Sequence, residues 1–391
     1  MKICGIICEY NPFHNGHAYL IERAKAESGC DAVVCVMSGN FTQRGEAAVL
    51  EKHARARHAV LAGADAVVEL PAAFAVSPAE LFARGGVRLL AAVPAFDCLA
   101  FGCERGGAED FWRAARVCAG EGEAFRAALR ERLDKGLSFT RARSEALAAC
   151  GHEKEAELLR SPNNILGAEY ARALLAERPE ARILPVRRKG AGYADAALRA
   201  QFSSATAIRA ALAAGRADEL GGNLPAFVLD DLRRAPDTAA FYTLAVCALL
   251  ARPAEELQGI LDCTEGLENR LRALAEQTAD YEQIVQGATG KRYIASRIRR
   301  ILAAAALGID EKLVRESLAG ELYLNVLAVR RDNAALLAAL GQARFPALLR
   351  AGDERALSPS AARCHAKDRL AEDVYAAITH TPIQTRRTLF L

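Results

Sequence analysis

Short, wholly apolar runs alternate with helical-period stretches along the first half of the chain. Ile3-Cys4-Gly5-Ile6-Ile7-Cys8 is apolar or small at every position, which predicts a strand buried on both faces. Pro12 delays any helix, and from His17 through Ala18, Leu20, Ile21 and Ala24 the spacing turns helical. Residues 31–38 then predict a second strand, completing a βαβ unit. Third and fourth strands are expected at 65–71 and 97–104. Helices are expected over 51–62 and after Ser77-Pro78, with Ser77 as N-cap. Residues 108–150 are helical in pattern throughout, too long for a simple crossover, and predict a helical insertion. A fifth strand follows at 181–186, and Ser203-Ser204-Ala205-Thr206 opens another helix. The alternation predicts an α/β fold with an open, mostly parallel sheet over residues 1–220.

Gly221-Gly222-Asn223-Leu224-Pro225 is the expected domain boundary. Beyond it, residues 221–391 predict a mainly α-helical C-terminal domain, with helices over 241–250, 253–261, 267–275 and 296–307. One alternating run, 321–328, has the pattern of a short strand. A length of 391 residues, 52% of them hydrophobic and 25% charged, fits a globular protein of two or three domains. The net charge of +3 excludes a protein coated in basic surface but leaves room for a local patch. The 11 cysteines are odd in number and contain no C-x-x-C pair, which argues against a disulfide framework or zinc ribbon. No secretory leader and no uninterrupted membrane-length apolar run is apparent, so a cytoplasmic protein without a membrane partner is expected.

Three separated segments offer cations or unpaired N–H groups to a polyanion. His14-Asn15-Gly16-His17 sits where the first strand gives way to a helix, whose N-terminus favours an anion. Gly16 keeps a side chain out of the way, and the two imidazoles can donate to phosphate oxygens. Arg187-Arg188-Lys189-Gly190 is a cationic loop at the end of the fifth strand. Ser204-x-Thr206-x-x-Arg209 places two hydroxyls at a helix start with a guanidinium one turn in. Each alone is also readable as a helix cap or a solvated surface; together they favour a nucleotide. The polar loop 39–46 is either a ligand contact at the same sheet edge or an ordinary connector, and Lys52, Arg55, Arg57 and His58 can form a solvated helix face.

These motifs resemble those of the nucleotidyltransferase superfamily, with HxGH on a first helix and S-x-T-x-x-R on a late one. Residues 9–17 (EYNPFHNGH), 37–46 (MSGNFTQRGE), 161–167 (SPNNILG), 189–193 (KGAGY), 265–270 (EGLENR) and 291–293 (KRY) are similar to the bacterial tRNA(Met) cytidine acetate ligase family. The resemblance implies a Rossmann-like nucleotidyltransferase domain. It implies ATP, as its Mg complex, and acetate as substrates, joined as acetyl-adenylate. The acetyl group then passes to the N4 amine of the wobble cytidine of elongator tRNA(Met). It also implies an ATP site formed by Ile7, Cys8, Glu9, Tyr10, Asn11, Pro12, Phe13, His14, Asn15, Gly16, His17, Ala18, Tyr19 and Leu20, with Gly102, Asn163 and Arg188. Ser204, Thr206 and Arg209 join these, and His14 and His17 act catalytically. Lys189 and His53 depart from the family pattern. No protein metal cage is expected.

Lys291, Arg292, Arg299 and Arg300, with Tyr293 interleaved, form a candidate RNA contact in the second half, and DNA is not an expected partner. On one helix Arg292, Ser296, Arg299 and Arg300 would share a face able to track phosphates. The same run also reads as a solvated face balanced by acids such as Glu282. The alternative activity, supported equally by the front half, is an adenylyl- or cytidylyltransferase acting on a small phosphate ester. A nucleotide-sensing or RNA-binding scaffold without turnover is a third.

Overall fold

Strand β1 (Ile3–Cys8) lies in the middle of a sheet, which is why its sequence is apolar on both faces. On one side β2 (Ala32–Ser38) and β3 (Ala66–Leu70) extend the sheet in parallel. On the other, β4 (Phe96–Cys103) and β5 (Arg182–Arg187) do the same. The computed structural model describes residues 1–120, 122–189, 198–382 and 387–391. The Gly190-Ala191-Gly192-Tyr193 motif lies outside them. Strand order is β5-β4-β1-β2-β3, so the winding reverses between β1 and β4. Loops leaving the carboxyl ends of those two strands part there and open a crevice.

Helices α1 (Asn15–Glu27), α2 (Lys52–Leu61), α3 (Ala72–Ala75) and α4 (Ala79–Ala91) connect the first four strands. Ser77 does not cap α4. Pro78 takes that place, while the buried Ser77 hydroxyl donates to the Ala73 carbonyl at 2.6 Å. The insertion folds as α5 (Ala108–Ala119), α6 (Glu123–Asp134), α7 (Phe139–Ala149) and α8 (Glu153–Leu158). After it come α9 (Pro162–Glu177) and α10 (Ala205–Ala213), the latter capped by Ser204, whose hydroxyl accepts from the Ala207 N–H at 3.0 Å.

The remaining chain carries α11 (Ala226–Leu232), α12 (Ala240–Ala251), α13 (Ala254–Gln258), α14 (Leu267–Gln277), α15 (Tyr281–Ala288), α16 (Ala295–Leu307) and α17 (Glu311–Ala319). Strand β6 (Leu324–Val329) interrupts this helical part before α18 (Ala334–Gly341) and α19 (Pro359–Thr379). β6 pairs antiparallel with β3, Ala66 opposite Val329, and carries two short strands, β7 (Ala347–Leu348) and β8 (Leu389–Phe390). The alternating run of the second half thus extends the sheet of the first. Asn223, in the glycine-rich segment 221–225, is buried and strapped back to it, its amide donating to the Arg199 carbonyl at 2.9 Å and accepting from the Ser203 N–H at 2.9 Å.

Two apolar layers cover the sheet. Ile7, Phe82, Phe101, Phe111 and Tyr170 belong to one, which runs on into the helical part where Phe41 meets Phe241 at 5.0 Å. Ile6, Tyr10, Phe13, Ile21 and Ile208 belong to the other. The charged face expected of α2 is not solvated. Lys52, Arg55 and His58 are buried: β6 packs on the helix, Glu372 of α19 reaches Lys52, and α11 covers His58 with Asp231 at 2.8 Å and the Phe227 ring. Lys52 Nζ lies 2.9 Å and 3.1 Å from the Glu69 oxygens and 3.8 Å from Glu372 on α19.

Arg55 has no exposed surface and donates to main-chain oxygens alone among its described hydrogen bonds: Leu50 at 2.9 Å, Glu9 at 2.6 Å, Ser38 at 3.1 Å and, through its other terminal nitrogen, Gly39. Replacing it with lysine leaves a compact ammonium where a planar fork bridged several carbonyls. Arg55→Lys is expected to lower unfolding stability by on the order of 3 kcal/mol. Urea denaturation at unchanged m-value measures it, and a midpoint equal to the native protein's contradicts the structural role.

Candidate active site

The crevice between β1 and β4 opens into a cleft of about 1350 Å³, its solvent-facing part included. One wall is the turn from β1 into α1. Tyr10 takes a left-handed backbone (φ 51°), its hydroxyl lies 3.3 Å from Cys35 Sγ, and its ring packs on Phe13 and His17. That packing holds the next turn, where His14 is the N-cap of α1.

The cap fixes both imidazoles. His14 Nδ1 accepts from the Gly16 N–H at 3.0 Å, and His17 Nδ1 accepts from the His14 N–H at 3.3 Å. With both Nδ1 atoms acting as acceptors, each neutral ring carries its proton on Nε2. The rings stack with centroids 3.7 Å apart. A Cβ on Gly16 would come within 2.8 Å of the His14 ring, which explains the glycine between the histidines. Burial, reinforced by the charges of Arg188 and Arg209, pushes the His14 pKa down to about 3. Burial, His14 and Arg188 likewise depress that of His17. Both are therefore neutral N–H donors at neutral pH.

Cations arrive from three other elements. Arg188 follows β5, its N–H donating to the Cys103 carbonyl at 3.0 Å, and its aliphatic stem lies over Gly102. Lys189 Nζ sits 4.3 Å from the Tyr19 ring centre. Arg209 on α10 donates to the Asn11 carbonyl at 2.8 Å, and Arg44 donates to the Thr206 hydroxyl at 3.2 Å. Asn163, at the start of α9, donates to Glu104 at 2.6 Å and also lines the cleft.

Of the expected residues, Ile7, Cys8, Glu9, Tyr10, Asn11, His14, Gly16, His17, Tyr19, Leu20, Gly102, Asn163, Arg188, Ser204, Thr206 and Arg209 meet around this cleft. Pro12, Phe13, Asn15 and Ala18 are not in its lining. Phe13 is fully buried under the turn, and Asn15 donates to the carbonyls of Gln201 (3.2 Å) and Gly222 (2.9 Å). The sequence reading missed an apolar lobe made by Phe82, Phe101, Leu166 and Tyr170, together with Phe202 and Gln43. Phe82, Phe101 and Tyr170 carry ordinary core patterning and gave no signal, whereas Leu166 lies in the 161–167 motif and Gln43 and Arg44 on the polar loop already singled out.

Glu9 is the one carboxylate among the described residues of the lining. Its Oε1 accepts from the Gln43 N–H at 2.6 Å. Desolvation pushes its carboxyl up, while the Gln43 N–H and then Arg44, Arg209 and Arg55 pull it down; the net shift is upward.

The basic run 291–300 does not form the expected single face, because α16 begins at Ala295, beyond Arg292. Arg299 makes a fork on Glu282 (2.8 Å and 2.7 Å) and lies over the Tyr281 ring. Arg300 turns inward, 3.9 Å from Asp262, while Arg292 pairs with Glu265 at 3.2 Å. Lys291 and Arg292 are exposed.

The model of the HIGH Nucleotidyl Transferase family matches residues 1–388. The tRNA(Met) cytidine acetate ligase of Caldanaerobacter subterraneus subsp. tengcongensis is 39% identical over 346 residues, 86% of this chain and 85% of its own. That of Thermoanaerobacter pseudethanolicus is 34% identical over 382 residues, 96% of this chain and 95% of its own. The apo crystal structure of Thermotoga maritima TmcAL superposes with a TM-score of 0.92 at 29% identity, covering 100% of both chains. A second TmcAL structure, bound with alpha-thio ATP, gives 0.87 at 28% identity over 100% of both. No helix among the described residues is long and apolar enough to cross a membrane. The chain belongs to the HIGH nucleotidyl transferase family and, within it, to the tRNA(Met) cytidine acetate ligases.

Proposed function

We propose that the cleft binds ATP, joins it to acetate as acetyl-adenylate with release of pyrophosphate, and delivers the acetyl group to the N4 amine of the wobble cytidine of elongator tRNA(Met). The observation that carries this reading is the meeting of two stacked, neutral imidazoles with guanidiniums from separate elements in one cleft at the winding reversal. A carboxylate is a poor acylating agent, so its oxygen must first attack the α-phosphorus and expel pyrophosphate. That step needs alignment and charge stabilisation rather than a covalent protein nucleophile.

In this reading the Nε2–H groups of His14 and His17 donate to the α-phosphate and bridging oxygens. Arg188 and Arg209 take up the charge of the departing pyrophosphate, and the Ser204 and Thr206 hydroxyls and the start of α10 cradle the outer phosphates. Mg²⁺ would come with the triphosphate and would neutralise part of its charge. Residues 1–220 activate acetate, and residues 221–391 present the RNA. Lys291 and Arg292 are its outermost basic contacts, since an exposed pair such as Arg292–Glu265 is readily exchanged for phosphate. Arg299 and Arg300 serve instead to hold α16 in place.

Incubation with ATP, acetate and bulk tRNA, followed by digestion, tests the whole. N4-acetylcytidine is expected; a small-ester nucleotidyltransferase yields none, and a scaffold yields neither adenylate nor modified nucleoside. In the acetate-dependent ATP–pyrophosphate exchange assay, His14→Asn and His17→Gln are each expected to lose about 10²–10³ in rate. His14→Asn retains a capping side chain for α1. Unchanged exchange in either variant removes that imidazole from the reaction.

The depressed His14 pKa carries a sign for stability. The folded protein holds His14 neutral down to about pH 3, whereas the unfolded chain protonates it near its ordinary value of 6.5. The stabilisation is complete above that ordinary value and is lost as pH falls toward 3. His14→Gln is expected to flatten this acid limb in urea titrations between those limits. An unaltered limb contradicts the buried neutral state. Finally, Lys291→Glu with Arg292→Glu is expected to weaken tRNA binding and reduce its salt slope, with a smaller effect on exchange; equal tRNA affinity at every salt concentration discards this surface.

A further inference from the structure

Resting on the acetyl-adenylate reading above, we propose that Glu9 is the base that accepts the proton of the cytidine N4 amine as the acetyl group is transferred. Glu9 stands alone as a carboxylate among the described lining residues, in a cleft whose other charged lining groups are Arg44, Arg187, Arg188, Lys189 and Arg209. A carboxylate repels a triphosphate, so holding phosphate does not account for it. It is nevertheless held with care: the Gln43 N–H fixes Oε1 at 2.6 Å, and Arg55 fixes the Glu9 main-chain oxygen at 2.6 Å.

The chemistry needs such a group. The lone pair of an exocyclic amine conjugated with its ring is a weak nucleophile, and the product amide retains one fewer N–H. The N4 nitrogen adds to the acetyl carbonyl carbon, forming the C–N bond. The C–O bond to the adenylate phosphate then breaks, and its electron pair leaves with AMP. The N4 proton passes to a Glu9 carboxylate oxygen and from there to water. The histidines do not fill this role, because both Nδ1 lone pairs accept backbone N–H groups and both Nε2 atoms carry the proton. Burial raises the Cys8 thiol and the Tyr170 phenol away from neutrality, so neither is an ionised base. The upward shift of the Glu9 carboxyl strengthens it as a base. The charged and titratable groups facing it are Arg44 from the loop after β2, Arg55 on α2, Arg209 on α10 and Tyr170 on α9.

Glu9→Gln keeps an oxygen for the Gln43 N–H and removes the base. Two rates are compared in the full chain with ATP, acetate and elongator tRNA(Met): acetate-dependent pyrophosphate exchange, and single-turnover acetylation of the tRNA. Acetylation is expected to fall by at least about 10²-fold in Glu9→Gln, well beyond any loss in exchange, with partial recovery in Glu9→Asp. The native acetylation rate is expected to decline toward acid pH as Glu9 takes up a proton, and this limb disappears in Glu9→Gln. Equal losses in both rates, or an acid limb that survives the substitution, overturn the assignment while leaving the acetyl-adenylate reading intact. Absence of exchange in the native protein overturns both.

Discussion

A guanidinium with no exposed surface sets the geometry on which everything else rests. Arg55 reaches from α2 under the ends of β1 and β2 and satisfies the carbonyls of Glu9, Ser38, Gly39 and Leu50 together. Strands that end inside a protein leave main-chain oxygens that water cannot reach, and each such orphan is costly. The planar fork of arginine solves several at once, which a lysine cannot. It also leaves a positive charge beneath the cleft, one that raises the attraction for a polyanion and offsets a part of the rise that burial imposes on the Glu9 carboxyl.

The cleft divides its labour between guanidiniums and imidazoles. Arg188 and Arg209 supply full charge, while burial, then Arg188 and Arg209, keeps His14 neutral, and burial, then His14 and Arg188, keeps His17 neutral. Two imidazolium rings stacked at 3.7 Å would repel, whereas two neutral rings with pinned Nδ1 atoms are compatible with close stacking. The imidazoles thus offer direction rather than charge. Such fixed donors need no reorientation when charge builds on a phosphate oxygen.

Much of this was legible in the chain, because the signals involved act over a few residues. The β1 run, the His14–His17 turn and the Ser204 cap depend on local periodicity and capping, and they appear where the pattern places them. Features governed by distant partners were not legible. Lys52, Arg55 and His58 read as a solvated face because the sequence near α2 carries no sign of the distant elements that cover it, β6 and α19 near Lys52 and α11 over His58. The basic run 291–300 told its charge and one balancing acid, Glu282, but not Glu265, nor that its helix begins too late to align Arg292 with Arg299. The apolar lobe of Phe82, Phe101, Leu166 and Tyr170 is ordinary core until a strand-order reversal leaves it facing a cleft.

The helical half also helps build the site it accompanies. Gly45, at φ +73°, presses so closely on α16 that a Cβ there would stand 2.3 Å from the Arg299 carbonyl carbon. Only glycine combines that backbone with that approach. Two residues earlier, the Gln43 N–H holds Glu9, and the neighbouring Arg44 holds Thr206. The loop is closed by main-chain bonds from Thr42 to Glu46 at 3.0 Å and from Gly45 to Thr42 at 2.9 Å, which hold it as a compact turn. The close contact at α16 and the groups that hold Glu9 and the Thr206 hydroxyl therefore lie within three consecutive residues of this loop. The helical half and the cleft thus share one short loop, which carries the approach of α16 to the residues that hold Glu9 and Thr206.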